Sequence, residues 1–269
     1  MLAFAANSVL CRLALGQQLI DPASFAAVRV FTAAATLVAI VLPRWRAHGR
    51  SGGNWRSAGV LLAYLVSFSF AYLSLSVGTG ALILFGAAQL TMIGSALRGG
   101  ESFTLLGRAG FILAVAGLVV LVAPGVTAPS AIGALLMAIA GLAWGLYSLM
   151  GRGGGDALEV TANNFIYLVP CVLVLGLGFA AERHLTANGL ALAALSGSLA
   201  SGLGYVVWYA AQKRLSAITA ATVQLSVPVV AALGGLLLMT EQVTLRLVLA
   251  SGATLGGIAI VFTQRASRR

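Results

Sequence analysis

Two arginines stand in stretches of this chain that are otherwise apolar enough to lie in a bilayer. Arg12 and Arg29 fall inside candidate membrane spans, where a charge costs about 2.5–3.5 kcal/mol on insertion scales. A guanidinium at that depth can dock the carboxylate of a solute through paired N–H donors. It can also cap backbone carbonyls or snorkel to the interface. Both residues are expected in the outer half of the membrane, where Asp21, at the interface, is the one acid expected near them. Arg29 reads rather as a capping or snorkelling group, and Arg12 as the better candidate for docking a solute.

Aromatic and polar side chains gather in two other segments. Tyr64, Phe68 and Tyr72 are spaced by four, so they share one helix face. Tyr205, Trp208, Tyr209 and Gln212 form a similar stripe. Such stripes either line a wet cavity or serve as interfacial aromatics and interhelical hydrogen-bond groups. Phe68 and Trp208 fall near mid-span, too deep for an interfacial belt, and are expected to face each other across a central cavity. Gln89, Gln224 and Pro228 add polarity at membrane depth. A mid-span Pro228 would leave the carbonyl of Gln224 without its helix partner, giving a polar spot or a packing kink. Trp144 and Tyr147 are candidate cavity aromatics or core residues, and Asn163 and Asn164, at a helix start, are expected to be capping or interfacial.

The absences also constrain the chemistry. Glu101 and Glu241 follow apolar spans and are expected to complement the N-termini of the helices that come next. No acidic residue lies well inside a span, so a carboxylate proton relay is not expected. His48 and His184 are in loops, and Cys11 and Cys171 are isolated in apolar segments. A nucleophile with its base, a carboxylate pair, a metal set and a disulfide are all unsupported, so neither an enzyme nor a cofactor is expected. The run Gly153–Gly155 lacks the lysine and preceding strand of a phosphate loop and reads as a linker.

The elements that position these residues follow from composition. Sixty per cent of the 269 residues are hydrophobic and 8% are charged, against about a quarter charged in a soluble domain. The expected solvent is therefore membrane lipid. The net charge of +10 sits in short loops and a basic tail, so it reads as orientation signal and not as a nucleic-acid surface. Ten apolar spans are expected, at about 1–19, 22–42, 55–75, 79–97, 104–123, 130–150, 161–180, 188–211, 217–239 and 244–263. The first has no basic leader and is broken by Arg12, so it is taken as a span and not as a signal peptide.

With the N-terminus cytoplasmic, twelve Lys/Arg fall in inner loops and the tail, against Arg183 and Arg246 outside. That asymmetry puts both termini in the cytoplasm. Residues 75–104 match 215–244 at 8 of 30 positions, Glu101/Glu241 among them, in a chain with six acidic residues. This is the mark of an internal repeat. Five spans per repeat is an odd number, so the two copies should be inverted.

The stretches DPASFAAVR (Asp21–Arg29), AWGLYSLMGR (Ala143–Arg152) and LSAITAATVQLSVPVVAALGGLLLMTEQVT, with the Gly-rich closing span, resemble EamA-type members of the drug/metabolite transporter superfamily. Ala88 stands where the second repeat has Pro228, and Asn7-Ser8 near where Trp144-Gly145 would align. The resemblance implies an all-α integral membrane protein of ten transmembrane helices in two inverted five-helix repeats, 1–123 and 130–263, followed by a basic tail, 264–269. It also implies a central cavity and export of small metabolites such as amino acids across a bacterial-type inner membrane. The expected function is secondary transport of amino-acid-like or amphipathic solutes, by uniport or exchange, as a monomer or homodimer. A channel or a non-transporting scaffold is the alternative, but no filter-like ring of charge or carbonyl-lined loop is evident.

Overall fold

The computed structural model describes residues 1–100, 104–125, 127–151, 156–212 and 223–266, with only the backbone for Tyr209, Gln212 and 264–266. They form helices α1 (Leu2–Gly16), α2 (Pro22–His48), α3 (Trp55–Ala71), α4 (Val77–Arg98), α5 (Leu105–Val122), α6 (Ala131–Met150) and α7 (Ala157–Gly178). An eighth rod follows, built from α8 (Ala187–Leu195), a π-helical segment (Ser196–Leu203) and α9 (Gly204–Gln212). Helices α10 (Ser226–Met239) and α11 (Leu245–Ala266) complete the chain. Among the described residues the β pairing is one isolated bridge, Ile20–Leu185.

Seven of the rods are long and apolar enough to cross a membrane, and Leu2–Gly16, Trp55–Ala71 and Ser226–Met239 are shorter apolar helices. Most starts carry the residue types that local chemistry favours. Asp21, Asn54, Thr104, Ser130, Asp156 and Thr186 each accept a backbone N–H of the first turn that follows, which satisfies donors that a helix leaves unpaired. The exteriors of α5 and α11 expose Leu105, Ile112, Val119, Leu245 and Leu249. An apolar outer surface on a helical protein is what contact with lipid requires.

Several expected boundaries shift. Helix α2 continues through Pro43 to His48, where a loop was expected from residue 43. Helix α10 begins at Ser226, just past the turn residue Leu225, and Val223 and Gln224 ahead of that turn are also helical, so Pro228 stands in the first turn after a break in the helix. There its missing N–H interrupts no ladder bond. Helix α11 reaches Ala266, into the expected tail; residues 267–269, the Gly153–Gly155 run, Glu101 and the start of the repeat segment at 215–222 lie outside the described residues.

Successive turns gather at opposite ends of the bundle. At one end, Thr186 N–H and hydroxyl donate to Leu19 O, and Arg246 reaches Ala123 O. At the other end, the α2–α3 segment meets the start of α7: Arg44 pairs with Asp156 at 2.9 Å, and Ser51 donates to Glu159 at 2.8 Å. Inside, α2 packs on α7, α6 on α3 and α4, and α1 on the eighth rod and α10. Helices α5 and α11 cross at glycines, with Gly110 against Gly257 and Gly117 against Ala250 and Thr254. Small residues at such a crossing let backbones approach where lipid offers no hydrophobic drive to associate.

Candidate functional site

Helix α2 meets the π-helical segment so closely that a Cβ at Gly197 would strike the Thr32 hydroxyl and the Arg29 carbonyl, and one at Gly202 would come within 2.9 Å of Thr36. The alternation of Ser and Gly at 196–197 and 201–202 permits this approach and leaves serine hydroxyls facing α1 and α2. Ser201 Oγ accepts from Arg29 Nε at 3.1 Å, and Ser196 Oγ donates to Asn7 Oδ1 at 2.6 Å. A π-helical insertion shifts side chains off the regular helical register and often marks functional sites.

Arg29 is thereby held in the interior, with 1% of its surface exposed. Its Nη2 donates to Tyr64 OH at 3.1 Å. The guanidinium carbon lies 4.9 Å from the Phe68 ring centre and 5.4 Å from that of Tyr64, within the range of cation–π attraction. Nη1 has no hydrogen-bond partner, and none of the described salt bridges involves Arg29. A buried cation without an anion is costly, because neighbouring dipoles and ring faces replace only part of its hydration.

A narrow cavity opens beside this group. Arg29, Asn7 and Ser201 give it a polar side; Phe4, Leu84 and Phe85 form part of its apolar wall. Tyr64, Phe68, Trp144 and Tyr205 also line it. Trp144 stacks on Tyr205 with ring centres 5.6 Å apart and touches Tyr64 at 5.1 Å. Trp144 Nε1 is buried and, like Arg29 Nη1, unpartnered. A mostly apolar pocket with a few convergent polar groups is the usual form of a small-molecule site.

The two polar ends close over this centre. Arg12 Nε pairs with Glu241 Oε1 at 3.2 Å, while Nη1 donates to the carbonyls of Tyr72 and Leu73. Glu241 Oε2 accepts from Val77 N–H at 2.7 Å, so it caps α4 from across the bundle. The left-handed Thr240 turns the chain there, and Gly235 leaves room for the carboxylate, which would sit 2.7 Å from a Cβ. At the opposite end Asn164 Oδ1 accepts from Asn54 N–H and Ser57 Oγ, and its Nδ2 donates to Tyr147 OH. Asn163 accepts from Arg50 twice and donates to the carbonyls of Ser51 and Gly52.

Several expectations are corrected here. Arg12 does have an acidic partner, and Glu241 serves α4 and Arg12 where it was expected to complement the helix that follows it. Arg29, expected to cap carbonyls or snorkel, is buried inside the bundle and held by Ser201 and Tyr64. Asn163 and Asn164 tie a loop to α7, whose cap is Asp156. Phe68 and Trp208 do not face each other: Trp208 meets Phe4 at 5.9 Å, and Phe4 in turn meets Trp144 and Tyr205.

Tyr64, Phe68, Trp144 and Tyr205 come together as cavity lining, whereas Tyr72 packs edge-on to Phe68 behind it. Tyr147 serves the Asn164 cluster. Gln89 Nε2 donates to Gln224 Oε1 at 3.3 Å, joining α4 to the chain just ahead of α10. The side chains of Tyr209 and Gln212 lie outside the described residues. Phe4, Asn7, Ser201, Leu84 and Phe85 were missed as site residues. The i, i+3 pair Phe4/Asn7 and the Ser-Gly pairs five apart are the sequence signals that could have found the first three.

The pattern that defines the EamA-like transporter family matches residues 131–263. The uncharacterized protein PA1977 of Pseudomonas aeruginosa is 50% identical over 268 residues, covering 100% of this chain and 93% of its own. A protein of known crystal structure superposes with a TM-score of 0.66 at 20% identity, over 97% of this chain and 96% of that one. That similarity speaks to the fold.

Proposed function

The chain belongs to the EamA-like transporter family, a multi-pass membrane family of the drug/metabolite transporter type, and from that premise we propose that it carries a small organic solute through the Arg29 cavity by alternating access. The observation that carries this reading is the buried guanidinium with a free Nη1 beside a second free donor, Trp144 Nε1. Polar closures at both ends, at Arg12–Glu241 and at Asn163–Asn164, suit a site that opens to one side at a time.

The proposed architecture is ten transmembrane helices in two inverted repeats, 1–123 and 130–263. The packing supports it. Adding 140 to the first-half member and subtracting 140 from the second turns the pair Gly110–Gly257 into Ala250–Gly117, which is also in contact. Thr254 Oγ1 donates to Ala114 O, its own counterpart 140 positions away. Reciprocal contacts of this kind are the signature of a two-fold relation. Exchange of solutes fits better than uniport, because an empty site must move with its guanidinium uncompensated while a loaded one is neutralised. The loop arginines orient the chain with both termini in the cytoplasm of a bacterial-type inner membrane, and the proposed direction is export. The basic segment 264–269 faces the cytoplasm, and the working unit is a monomer or homodimer.

Counterflow in proteoliposomes tests the reading. The expected result is saturable uptake of a labelled small organic solute that accelerates when the same solute is preloaded inside, and that is lost in Arg29→Gln. Non-saturable flux points to a channel, chemical conversion of the solute to an enzyme; either outcome, or counterflow indifferent to Arg29, overturns the proposal.

A further inference from the structure

Resting on that reading of the Arg29 cavity as the solute site, we infer that its solute is a small organic monocarboxylate without an ammonium group, an arene or alkyl acid and not an amino acid. The argument starts from what the cavity can and cannot balance. Arg29 spends Nε on Ser201 and Nη2 on Tyr64, and keeps Nη1. Trp144 Nε1 is the other lining donor that is buried without a partner. Two donors, one of them charged, match the two oxygens of a carboxylate, which only accepts. The ion pair so formed removes the cost of the buried cation.

An ammonium group finds no such balance. The chain has six acidic residues, and none of the described five lines the cavity. Asp21, Asp156, Glu159 and Glu241 are engaged at the bundle ends, by Ser24 N–H, Arg44, Ser51 and Arg12 respectively. Glu182 lies in the exposed turn Ala180–Glu182. Of the lining rings, Tyr64 and Phe68 are already faced by Arg29, and Trp144 and Tyr205 are stacked on each other. Asn7 Oδ1 takes the Ser196 hydroxyl and offers at most a neutral lone pair, not a counter-charge. The buried acceptor Gln89 Oε1, unpartnered, is not part of the lining. A second cation would therefore sit near the first without a counter-charge, in a low-dielectric interior where like charges repel strongly. The remaining wall of Phe4, Leu84 and Phe85 presents an apolar surface to the body of the solute; in this conformation the cavity has room for about one water, so a ring-sized solute requires the lining to rearrange.

Isothermal titration of the purified protein in detergent at neutral pH decides the matter with three ligands that share one ring: 3-phenylpropanoate, L-phenylalanine and 2-phenylethylamine. The expected order is measurable binding of the acid, binding of phenylalanine weaker by at least about tenfold, and no binding of the amine. Arg29→Gln should weaken the acid by about tenfold or more, and Trp144→Phe by a few-fold, since a single neutral donor is lost. Should the arginine variant fail to fold, the tryptophan variant carries the test. Phenylalanine binding as tightly as the acid, through Arg29, overturns the amine-free assignment and leaves the cavity as the solute site. Acid binding unaffected by either substitution overturns both, and no binding by any of the three overturns the assignment.

Discussion

Arg12 and Arg29 show how one type of side chain can be held in opposite ways within a single bundle. Arg12 is part-exposed, at 22% of its side chain, and its charge is met by Glu241 and two carbonyls. Arg29 is 1% exposed and is met by a serine, a phenol and two ring faces. A compensated guanidinium at a bundle end ties helices together, whereas the one at the centre is left with a free Nη1. On the proposed reading the first serves stability and the second binding, and substitutions should separate them.

The largest effect is expected at the centre. Arg29→Gln removes the charge and leaves a shorter, neutral amide donor. Transport should fall by on the order of a hundredfold, the scale for deleting one partner of a desolvated charge pair, about 2–5 kcal/mol. The unfolding temperature in detergent should hold or rise, because a buried unpaired charge is removed. A variant that transports normally, or one that is strongly destabilised, would erase the contrast with Arg12.

Arg12→Ala reverses the emphasis. It leaves Glu241 capping Val77 but strips the carbonyls of Tyr72 and Leu73 of their donor, at about 1–2 kcal/mol once solvent screening is allowed for. Apparent melting should drop by several degrees. A double-mutant cycle with Glu241→Ala should return a coupling of about 0.5–1.5 kcal/mol. Additivity of the two substitutions would mean that the pair at 3.2 Å contributes no joint stability.

The packing that carries Arg29 to the centre can be tested apart from its charge. Gly197→Ala drives a methyl into Thr32 and the Arg29 carbonyl, an overpacking that costs about 1–3 kcal/mol. It should also lower flux several-fold by displacing Arg29 from Ser201, since small misplacements at a site are expensive. Gly94→Ala is the control: nothing lies within 4 Å of its Cβ position. Similar losses in both variants would show that the close approach of α2 is not what sets Arg29.

Much of this was legible in the sequence, and what was not has a definite physical origin. Apolar runs of bilayer length gave the helices, because a span must satisfy its own backbone. The expected starts at 22 and 55 coincide with the first residues of α2 and α3, where Asp21 and Asn54 cap. The four-residue spacing of Tyr64 and Phe68 placed them on the cavity correctly. The partner of Arg12 was not legible, since Glu241 is 229 positions away and its loop comes near only through tertiary packing. The burial of Arg29 was hidden for a related reason: it depends on Gly197 and Ser201, residues that read as ordinary small-residue packing. The π-helical segment lies just ahead of α9, so it turns the stripe Tyr205–Trp208 relative to α8 in a way that a regular helical period does not foresee.

The smallest effect is expected where sequence symmetry suggested a large one. Phe68 and Trp208 lie 140 positions apart and would be interchangeable if they faced each other across one site. Their surroundings differ. Phe68 lies under the Arg29 guanidinium at 4.9 Å and stands edge-on to Tyr72 at 4.9 Å. Trp208 touches the network through the edge of Phe4 and is not part of the cavity lining. Phe68→Leu deletes a ring face that stabilises a desolvated cation, worth about 2 kcal/mol where water is excluded, and flux should drop by about tenfold. Trp208→Phe keeps an aromatic edge for Phe4 and loses no donor to the cavity, so flux should stay within about twofold of the parent. Measured side by side in the same proteoliposomes, the two variants give a ratio. A ratio near one restores the symmetric pairing, and a ratio of several-fold in favour of Phe68 places the working face on the Arg29 side of the aromatic network.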